Sequence, residues 1–245
     1  MMRFDVITFQ VPDISAATAF YVDVLGMVQI GDDSIGYSAE CLKLRFVKCG
    51  TTRKATSRDA YWKIGITVKN LDHAVEYLKT KNISCSDPSQ FLDIGYLSHL
   101  RDPAGLGIEL LQQGFEGKHQ PIEEGHAIGG QATLAHITIR VSDLEHAKSW
   151  CEETMNMRLM SIQSVDLFDF TLYFYGWSDE ELPGAVDSVE IREWLWARPY
   201  ALLELQHTKG TTFLRGTPPG AAGPTKILCR GDKEIEVDCS TDLGL

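Results

Sequence analysis

The pattern of hydrophobic and polar positions repeats three times along the chain. Three stretches align without gaps, namely Ile7–Tyr21, Ile64–Leu78 and Ile137–Cys151. In each stretch apolar residues first alternate with other residues, which is typical of a half-buried strand. They then recur at spacings of three, which is typical of one face of a helix. The pattern therefore predicts a strand followed by a helix at each of the three places.

A helix-capping residue stands between strand and helix in every copy, at Asp13, Asn70 and Asp143. The side-chain oxygen of such a residue accepts a hydrogen bond from an amide of the first helical turn. Gly26 follows the first helix and is the residue type that commonly ends one. The three helices are therefore predicted to begin directly after these caps.

Strand-like runs follow each helix, so each copy predicts a βαβββ unit. The runs are Val28–Ile30 and Cys41–Val47 in the first unit, Ile83–Cys85, Tyr96–Leu100 and Leu106–Leu111 in the second, and Arg158–Val165, Phe168–Tyr175 and Ala201–Gln206 in the third. A few strands with one helix cannot close a core alone, so the units are expected to pair. The sequence therefore predicts an α+β fold of paired βαβββ units.

The chain is predicted to contain two domains, a linker and a tail. The linker is rich in Gly, Glu and His and has no period. The tail has a Pro/Gly segment and two short runs, 226–228 and 234–238, suited to a hairpin, so a fourth unit is eroded or missing. The predicted bounds are 1–115 for the first domain, with units at 1–50 and 60–113, 116–131 for the linker, 132–210 for the second domain, with one unit, and 211–245 for an irregular tail.

Composition and charge exclude several classes of function. The chain has 245 residues, of which 44% are hydrophobic and 23% charged, as in globular proteins. Its net charge of −11 disfavours nucleic acid and anionic lipid as partners, and Arg53–Arg58, its one basic stretch, predicts a solvated loop. No apolar run is long enough for a membrane helix, and the first residues lack a secretory signal. We therefore expect a cytoplasmic protein with reduced cysteines.

Several motifs resemble those of the vicinal oxygen chelate superfamily, the group of glyoxalase I, bleomycin-resistance proteins and extradiol dioxygenases. The motifs are the repeated V-x-D-x3-A-x2-F/Y pattern, Leu25-Gly26-Met27, and Asp102-Pro103 with Gly105 and Ile108-Glu109-Leu110. The resemblance covers residues 4–208 and implies curved mixed sheets around a central cleft, with the helices outside. The third unit is most similar to glyoxalase I (lactoylglutathione lyase), through 136–141, 169–174 and 202–207.

In this superfamily each unit supplies one metal ligand at the head of its first strand and one in its last strand. The resemblance places His136 and Glu204 there in the third unit, and Lys63 and Glu109 in the second. The first unit has no ligand at these places, which hold Val6 and then Lys43 or Arg45.

Pairing of the second unit with the third gives the ligand set His136, Glu204 and Glu109, and we prefer it because only this pair supplies three ligands. Water, substrate or Lys63, as the charge partner of a carboxylate, would complete the site. Pairing of the first unit with the second leaves only Glu109, and pairing of the third with the tail recruits Glu236.

The resemblance implies a divalent metal, zinc or nickel first, that polarises two neighbouring oxygens of a small-molecule substrate. Arg140 matches a position that holds a glutathione carboxylate, and Phe168, Leu172 and Phe174 match the hydrophobic substrate pocket. Each position also has a structural interpretation: His136 as a packed histidine, Glu109 on the outer face, Arg140 in a surface ion pair and the three apolar residues as core. No catalytic residue is assigned.

Three functions stay open at this point. The first is a glyoxalase I-like, metal-dependent isomerisation of the hemithioacetal of a 2-oxoaldehyde and glutathione to a 2-hydroxyacyl thioester. The second is a degenerate, non-catalytic member that binds a small ligand or a protein partner. Val6 and Lys63 favour the second, so the sequence leaves open whether the protein is an enzyme. An extradiol dioxygenase ranks last, because only His136 stands at a histidine ligand position. A homodimer is also left open.

Overall fold

The computed structural model describes residues 1–214 and 216–239, and their strands form two sheets. The first unit consists of β1 (Arg3–Val11), α1 (Ile14–Ala19), β2 (Val28–Ile30), β3 (Ser34–Gly36) and β4 (Lys43–Lys48). The second consists of β5 (Tyr61–Val68), α2 (Leu71–Thr80), β6 (Ser89–Phe91), β7 (Gly95–Arg101) and β8 (Gly107–Gln112). The third consists of β9 (Thr133–Val141), α3 (Leu144–Ser149), β10 (Arg158–Val165), β11 (Phe170–Gly176), α4 (Glu190–Trp196) and β12 (Leu202–Thr208). A hairpin follows, of β13 (Gly223–Arg230) and β14 (Glu234–Asp238).

The helices α1, α2 and α3 begin at the predicted caps. Asp13, Asn70 and Asp143 have extended backbones, and each side chain accepts a hydrogen bond of 3.0 Å from the amide three residues later. Gly26 ends the helical segment with a φ of +76°, and a side chain there would also press against Ala127. Glycine therefore meets two requirements at this turn.

The second and third units share one eight-stranded sheet, in the order β10-β11-β12-β9-β5-β8-β7-β6. At its centre β5 and β9 pair antiparallel, while β8 runs parallel to β5 and β12 parallel to β9. The preferred pairing of these two units is therefore present in the structure. This sheet takes strands from both sides of residues 116–131, so strand pairing does not follow the predicted division into domains.

The first unit and the C-terminal hairpin form a six-stranded sheet, in the order β14-β13-β1-β4-β3-β2. Strand β13 pairs antiparallel with β1 just as β9 pairs with β5, so it takes the place of the first strand of a fourth unit. The hairpin expected from 226–228 and 234–238 is present, and its first strand is longer than the predicted run, so the segment after residue 210 is not irregular throughout. Among the residues described, this fourth position has two strands and no helix.

Two predicted strands differ from the structure. Residues 83–85 form only an isolated bridge, between Cys85 and Leu100, and the short strand of that region is β6 instead. Phe168 lies in a helical turn before β11, because Asp169 has a left-handed backbone with a φ of 53° that interrupts an extended run. Apolar residues continue through this turn, so the hydrophobic pattern alone does not predict the turn.

The predicted α+β fold of paired units in mixed sheets is confirmed. A large core lies between the sheets and α1–α3 and includes Ile64, Leu78 and Ile137. A smaller apolar cluster lies on the opposite face of the eight-stranded sheet, where α4 packs with Leu195 and Trp196. Within residues 1–214 and 216–239, no helix is long and apolar enough to cross a membrane.

Candidate functional site

The centre of the eight-stranded sheet brings charged side chains together on the face that packs against α4, which is called its inner face below. Gly65 on β5 is in register with His136 on β9 on one side and with Glu109 on β8 on the other. On the far side of β9, Glu204 on β12 is in register with Thr138. Alternate residues of a strand share a face, so these neighbouring strands direct His136, Glu109 and Glu204 to one point. His136, Glu109 and Glu204 are all buried.

Gly65 makes room for the imidazole at this point. A Cβ atom at residue 65 would overlap the ring of His136, and the closest ring atom would be Cε1. The ring therefore lies across the backbone of β5, where only glycine leaves enough space. The sequence pattern marks residue 65 as the polar-side position of a strand but gives no signal for this packing.

The donor atoms of the predicted ligands approach one another closely. Nε2 of His136 is 3.3 Å from Oε1 of Glu109 and 3.3 Å from Oε2 of Glu204. Neither ring nitrogen of His136 has an aligned hydrogen bond, and Oε1 of Glu204 has no partner among the described residues. Oε2 of Glu204 accepts a hydrogen bond of 2.9 Å from the Thr138 hydroxyl.

Lys63 places a positive charge among these groups. Its Nζ is 2.5 Å from Oε2 of Glu109 and 3.9 Å from Oε2 of Glu204, and its side chain is almost fully buried. Burial by itself would raise the pKa of Glu109, but the charge of Lys63 and the contacts with His136 and His99 hold that pKa well below its ordinary value. Glu109 is therefore ionised and paired with an ammonium.

His99 is a member of this cluster that the sequence analysis missed. Its Nε2 lies 3.0 Å from Oε2 of Glu109, and its ring stacks on Trp62 with centroids 5.9 Å apart. The predicted turn at 102–105 could have revealed it. This turn joins β7 to β8, and residues equally far before and after the turn face each other in an antiparallel pair, so that His99 is directly opposite Glu109. Side chains directly opposite in an antiparallel pair face the same side of the sheet.

A cavity of about 200 Å³ lies over this cluster and has a mostly apolar lining. Lys63, His99, Glu109 and Glu204 form its polar floor. Its walls include Ile94, Leu97, Leu111, Leu172, Phe174 and Trp196. Two of the three apolar residues predicted for a substrate pocket, Leu172 and Phe174, therefore face the cavity from β11.

Helix α4 forms the roof of the cavity. The Trp196 ring lies 5.2 Å from Phe174 and 6.1 Å from His136 between centroids. Its Nε1 donates a hydrogen bond of 3.0 Å to the carbonyl oxygen of Ile94, in the neighbouring unit. Arg192 is also held by Asp93, so α4 is fixed at both positions across the cleft.

The mouth of the cavity is aromatic. Phe168 is 54% exposed and stacks on Phe91, with ring centroids 5.7 Å apart. Phe170 lies next to Phe168, and both rings border the cavity. Phe168 thus lies at the rim of the cavity, from a turn and not from the strand in which it was expected.

Arg140 lies outside this cavity. Its guanidinium stacks on the Trp62 ring at 4.5 Å and its Nε donates to Oε1 of Gln206 at 3.3 Å. Trp62, Lys63 and His99 also border a second, more open and more polar cavity of about 690 Å³. Arg140 borders neither of the two cavities.

The donor set does not fit a resident metal ion. A divalent cation shared by Glu109 and Glu204 would lie next to the Lys63 ammonium, which already neutralises one of the two carboxylates. A protonated lysine has no lone pair for a metal. Among the residues described, no group of three or more His, Cys, Asp or Glu side chains is arranged to hold an ion.

The comparisons with known proteins agree with this architecture. Residues 3–110 match the family model of the Glyoxalase/Bleomycin resistance protein/Dioxygenase superfamily. Over these residues the chain is similar to that superfamily, and the resemblance predicted from the motifs is confirmed. The matched segment ends inside β8, at the residue after Glu109.

The solved structures extend the likeness to nearly the whole chain. Glyoxalase I from Zea mays superposes with a TM-score of 0.66 over 94% of this chain and 74% of that one, at 16% sequence identity. Two variants of the same maize enzyme give TM-scores of 0.64 at the same identity. At this identity the likeness establishes a shared fold and nothing about activity. Among curated protein sequences, none matches the chain.

Proposed function

We propose that this protein binds a small, largely apolar molecule in the cavity of the eight-stranded sheet, and that it does so without a resident divalent metal. The contact that carries the proposal is the one between Lys63 and Glu109. It puts an ammonium at one of the four positions from which the superfamily binds metal, so the positive charge of the site comes from the protein itself.

The cavity supports binding of an apolar molecule. Small-molecule sites are typically concave, apolar and equipped with a few polar groups, and this cavity has that composition. Its volume of about 200 Å³ is below that of sites for drug-sized ligands, so the bound part of the molecule is small. The roof from α4 places the Trp196 ring over the cavity and adds to its apolar lining.

Calorimetric titration with butylbenzene, together with metal analysis of the purified protein, tests this function. We expect butylbenzene to bind and zinc or nickel to stay far below one ion per chain, even after growth with both metals. Leu172→Trp fills the cavity from β11 and is expected to abolish binding, as is Leu97→Trp from β7. Leu214→Trp, at a position 53% exposed and outside the cavity, is the matched control and should bind normally.

The proposal fails if stoichiometric metal is found, or if both cavity-filling variants fold and still bind butylbenzene. Circular dichroism of each variant establishes that it is folded. Two independent filling positions keep the test informative if one of them prevents folding.

A second candidate function is the metal-dependent isomerisation of the glyoxalase I type. The convergence of His136, Glu109 and Glu204 favours it, as do the unpartnered atoms of His136 and Glu204. The open polar cavity beside Lys63 offers space for a glutathione conjugate. Turnover of methylglyoxal and glutathione in the presence of zinc or nickel would favour this candidate over the metal-free one. Light scattering in the same samples tests whether the protein forms the homodimer that the sequence leaves open.

A further inference from the structure

The floor of the cavity contains more acidic groups than its lysine can neutralise. Lys63 lies 2.5 Å from Glu109 but 3.9 Å from Glu204, so the closer ion pair leaves Glu204 as the surplus carboxylate. The Thr138 hydroxyl and Nε2 of His136 also approach Glu204, and both are on the Oε2 side.

Oxygen Oε1 of Glu204 is the atom that lacks a partner. Glu204 is 1% exposed and borders the cavity, and this oxygen accepts no hydrogen bond from any described residue. A buried acceptor without a donor is unfavourable, and the same low dielectric strengthens any hydrogen bond that does form. A molecule in the cavity that carries a donor group would therefore gain from this oxygen.

The rest of the cavity determines the remainder of the molecule. The walls from β11 and α4 present Leu172, Phe174 and Trp196, which favour an aromatic or alkyl body. The half-buried ring of Phe91 and the exposed ring of Phe168 extend this apolar surface to the solvent. The complementary molecule is apolar over its length and polar only at the end that reaches the floor.

We propose that the cavity selects small apolar compounds with a terminal hydrogen-bond donor, an alcohol or a primary amine, and discriminates against the corresponding carboxylates. A ligand carboxylate would bring a third negative group to a floor where one lysine faces two glutamates, and it has no donor for Glu204. This inference rests on the proposed binding function, because it names the ligand class of the same cavity.

A matched series of four compounds tests the inference by calorimetric titration at pH 7.5. The compounds are butylbenzene, 4-phenylbutan-1-ol, 4-phenylbutylamine and 4-phenylbutyrate, which share a phenyl ring and a four-carbon chain and differ at the last carbon of that chain. We expect the alcohol and the amine to bind at least about tenfold more tightly than the carboxylate, the difference of one good hydrogen bond to a charged acceptor.

Glu204→Gln connects the preference to the residue. The substitution keeps the shape of the side chain and removes its charge, so we expect the ratio of amine to carboxylate affinity to fall by about tenfold or more. Glu236→Gln makes the same chemical change on β14 of the other sheet, at an exposed position, and should leave the ratio unchanged.

The outcomes separate this inference from the function on which it rests. Equal or tighter binding of 4-phenylbutyrate, with butylbenzene also bound, would overturn the donor preference and leave cavity binding intact. Failure of all four compounds to bind would overturn the binding function itself. The series on the unmodified protein decides the donor preference even if Glu204→Gln does not fold.

Discussion

Both sheets of this protein bury a lysine against a carboxylate, and the surroundings of the two pairs differ. In the six-stranded sheet, Asp5 contacts three cations: Lys43 at 2.7 Å, Arg230 at 3.4 Å and Arg3 at 3.6 Å. In the eight-stranded sheet, one lysine faces two carboxylates, and one carboxylate oxygen has no hydrogen-bond partner within the described part of the chain. A pair surrounded by its own counter-ions serves the structure, whereas a surplus carboxylate beside a cavity is available to a ligand.

The comparison also shows how the two sheets differ around their paired units. The eight-stranded sheet has four strands on each side of its centre, and side chains from both halves enclose the cleft. Among the described residues, β13 and β14 stand opposite the first unit in the six-stranded sheet, and Glu236, once a candidate ligand, is exposed and paired with Lys226. The cavity with Glu109 and Glu204 in its floor lies in the sheet that the second and third units form together.

The largest expected effect comes from removal of each lysine. Lys63→Met leaves Glu109 and Glu204 buried without their ammonium, and we expect it to lower the free energy of unfolding by about 3 to 5 kcal/mol. Lys43→Met should cost less, about 1 to 3 kcal/mol, because Arg3 and Arg230 stay beside Asp5. Urea unfolding of both variants measures the difference.

The response to metal is expected to differ between the two lysine variants. With the ammonium removed, His136, Glu109 and Glu204 are three donors without a competing cation, so zinc or nickel is expected to restore part of the stability of Lys63→Met. Neither metal should affect Lys43→Met, whose surroundings contain arginines instead of donors. Equal responses of the two variants would mean that Lys63 is not what prevents metal binding.

The next effect concerns a carboxyl group that connects the two regions. Tyr21 of the first unit donates a hydrogen bond of 3.2 Å to Asp102, in the turn between β7 and β8, and burial raises the pKa of Asp102 to about 6. In the unfolded chain that pKa is about 3.9. The stability that protonated Asp102 contributes is therefore complete below about pH 4 and is lost as the pH rises through about 6, a change of about 2 to 3 kcal/mol.

Asp102→Asn should remove this pH dependence. Urea unfolding between pH 4 and pH 7 is expected to show the variant gaining stability relative to the unmodified protein as the pH rises. Asp33→Asn, at an exposed site on the first unit, is the control and should follow the unmodified protein. Parallel curves for Asp102→Asn and the unmodified protein would contradict the assigned role of burial.

The smallest effect comes from adding a single methyl group to each sheet. Gly65→Ala would push against the His136 ring, and we expect a loss of about 1 to 3 kcal/mol together with displacement of the imidazole resonances in NMR spectra. At Gly36 the closest atom to a new Cβ is Cγ of Lys43, 3.1 Å away, so a shift of a few tenths of an ångström is enough and Gly36→Ala should cost less. A larger loss at Gly36 would indicate that the inner face of the eight-stranded sheet is not the tighter of the two.

Much of this arrangement was predictable from the residues, because it follows from local rules. The caps at Asp13, Asn70 and Asp143 and the alternation of the first strands depend only on neighbours in the chain. His136, Glu109 and Glu204 meet because their strands pair in the expected order. Their role as ligands stays a prediction, and the preference for the second and third units came from counting donors.

The remaining features depend on contacts that no local pattern records. The position of the Lys63 ammonium depends on a side-chain rotamer, and that of Arg140 on its stacking against Trp62. Phe168 lies outside the predicted strand because Asp169 has a left-handed backbone. The sequence analysis predicts no helix between β11 and β12, and only the contacts of α4 across the cleft show that it forms a roof.

That roof has a consequence for the order of assembly. The hydrogen bond from Trp196 to Ile94 joins positions 102 residues apart in the chain, and Arg192 reaches Asp93 over a similar distance. Contacts of such separation form after local structure, because a long loop must close first. The strand pairings of the eight-stranded sheet span fewer residues than these contacts. We therefore expect α4 to close over the cavity after that sheet has formed, so that the apolar lining of the cavity is exposed to water until then.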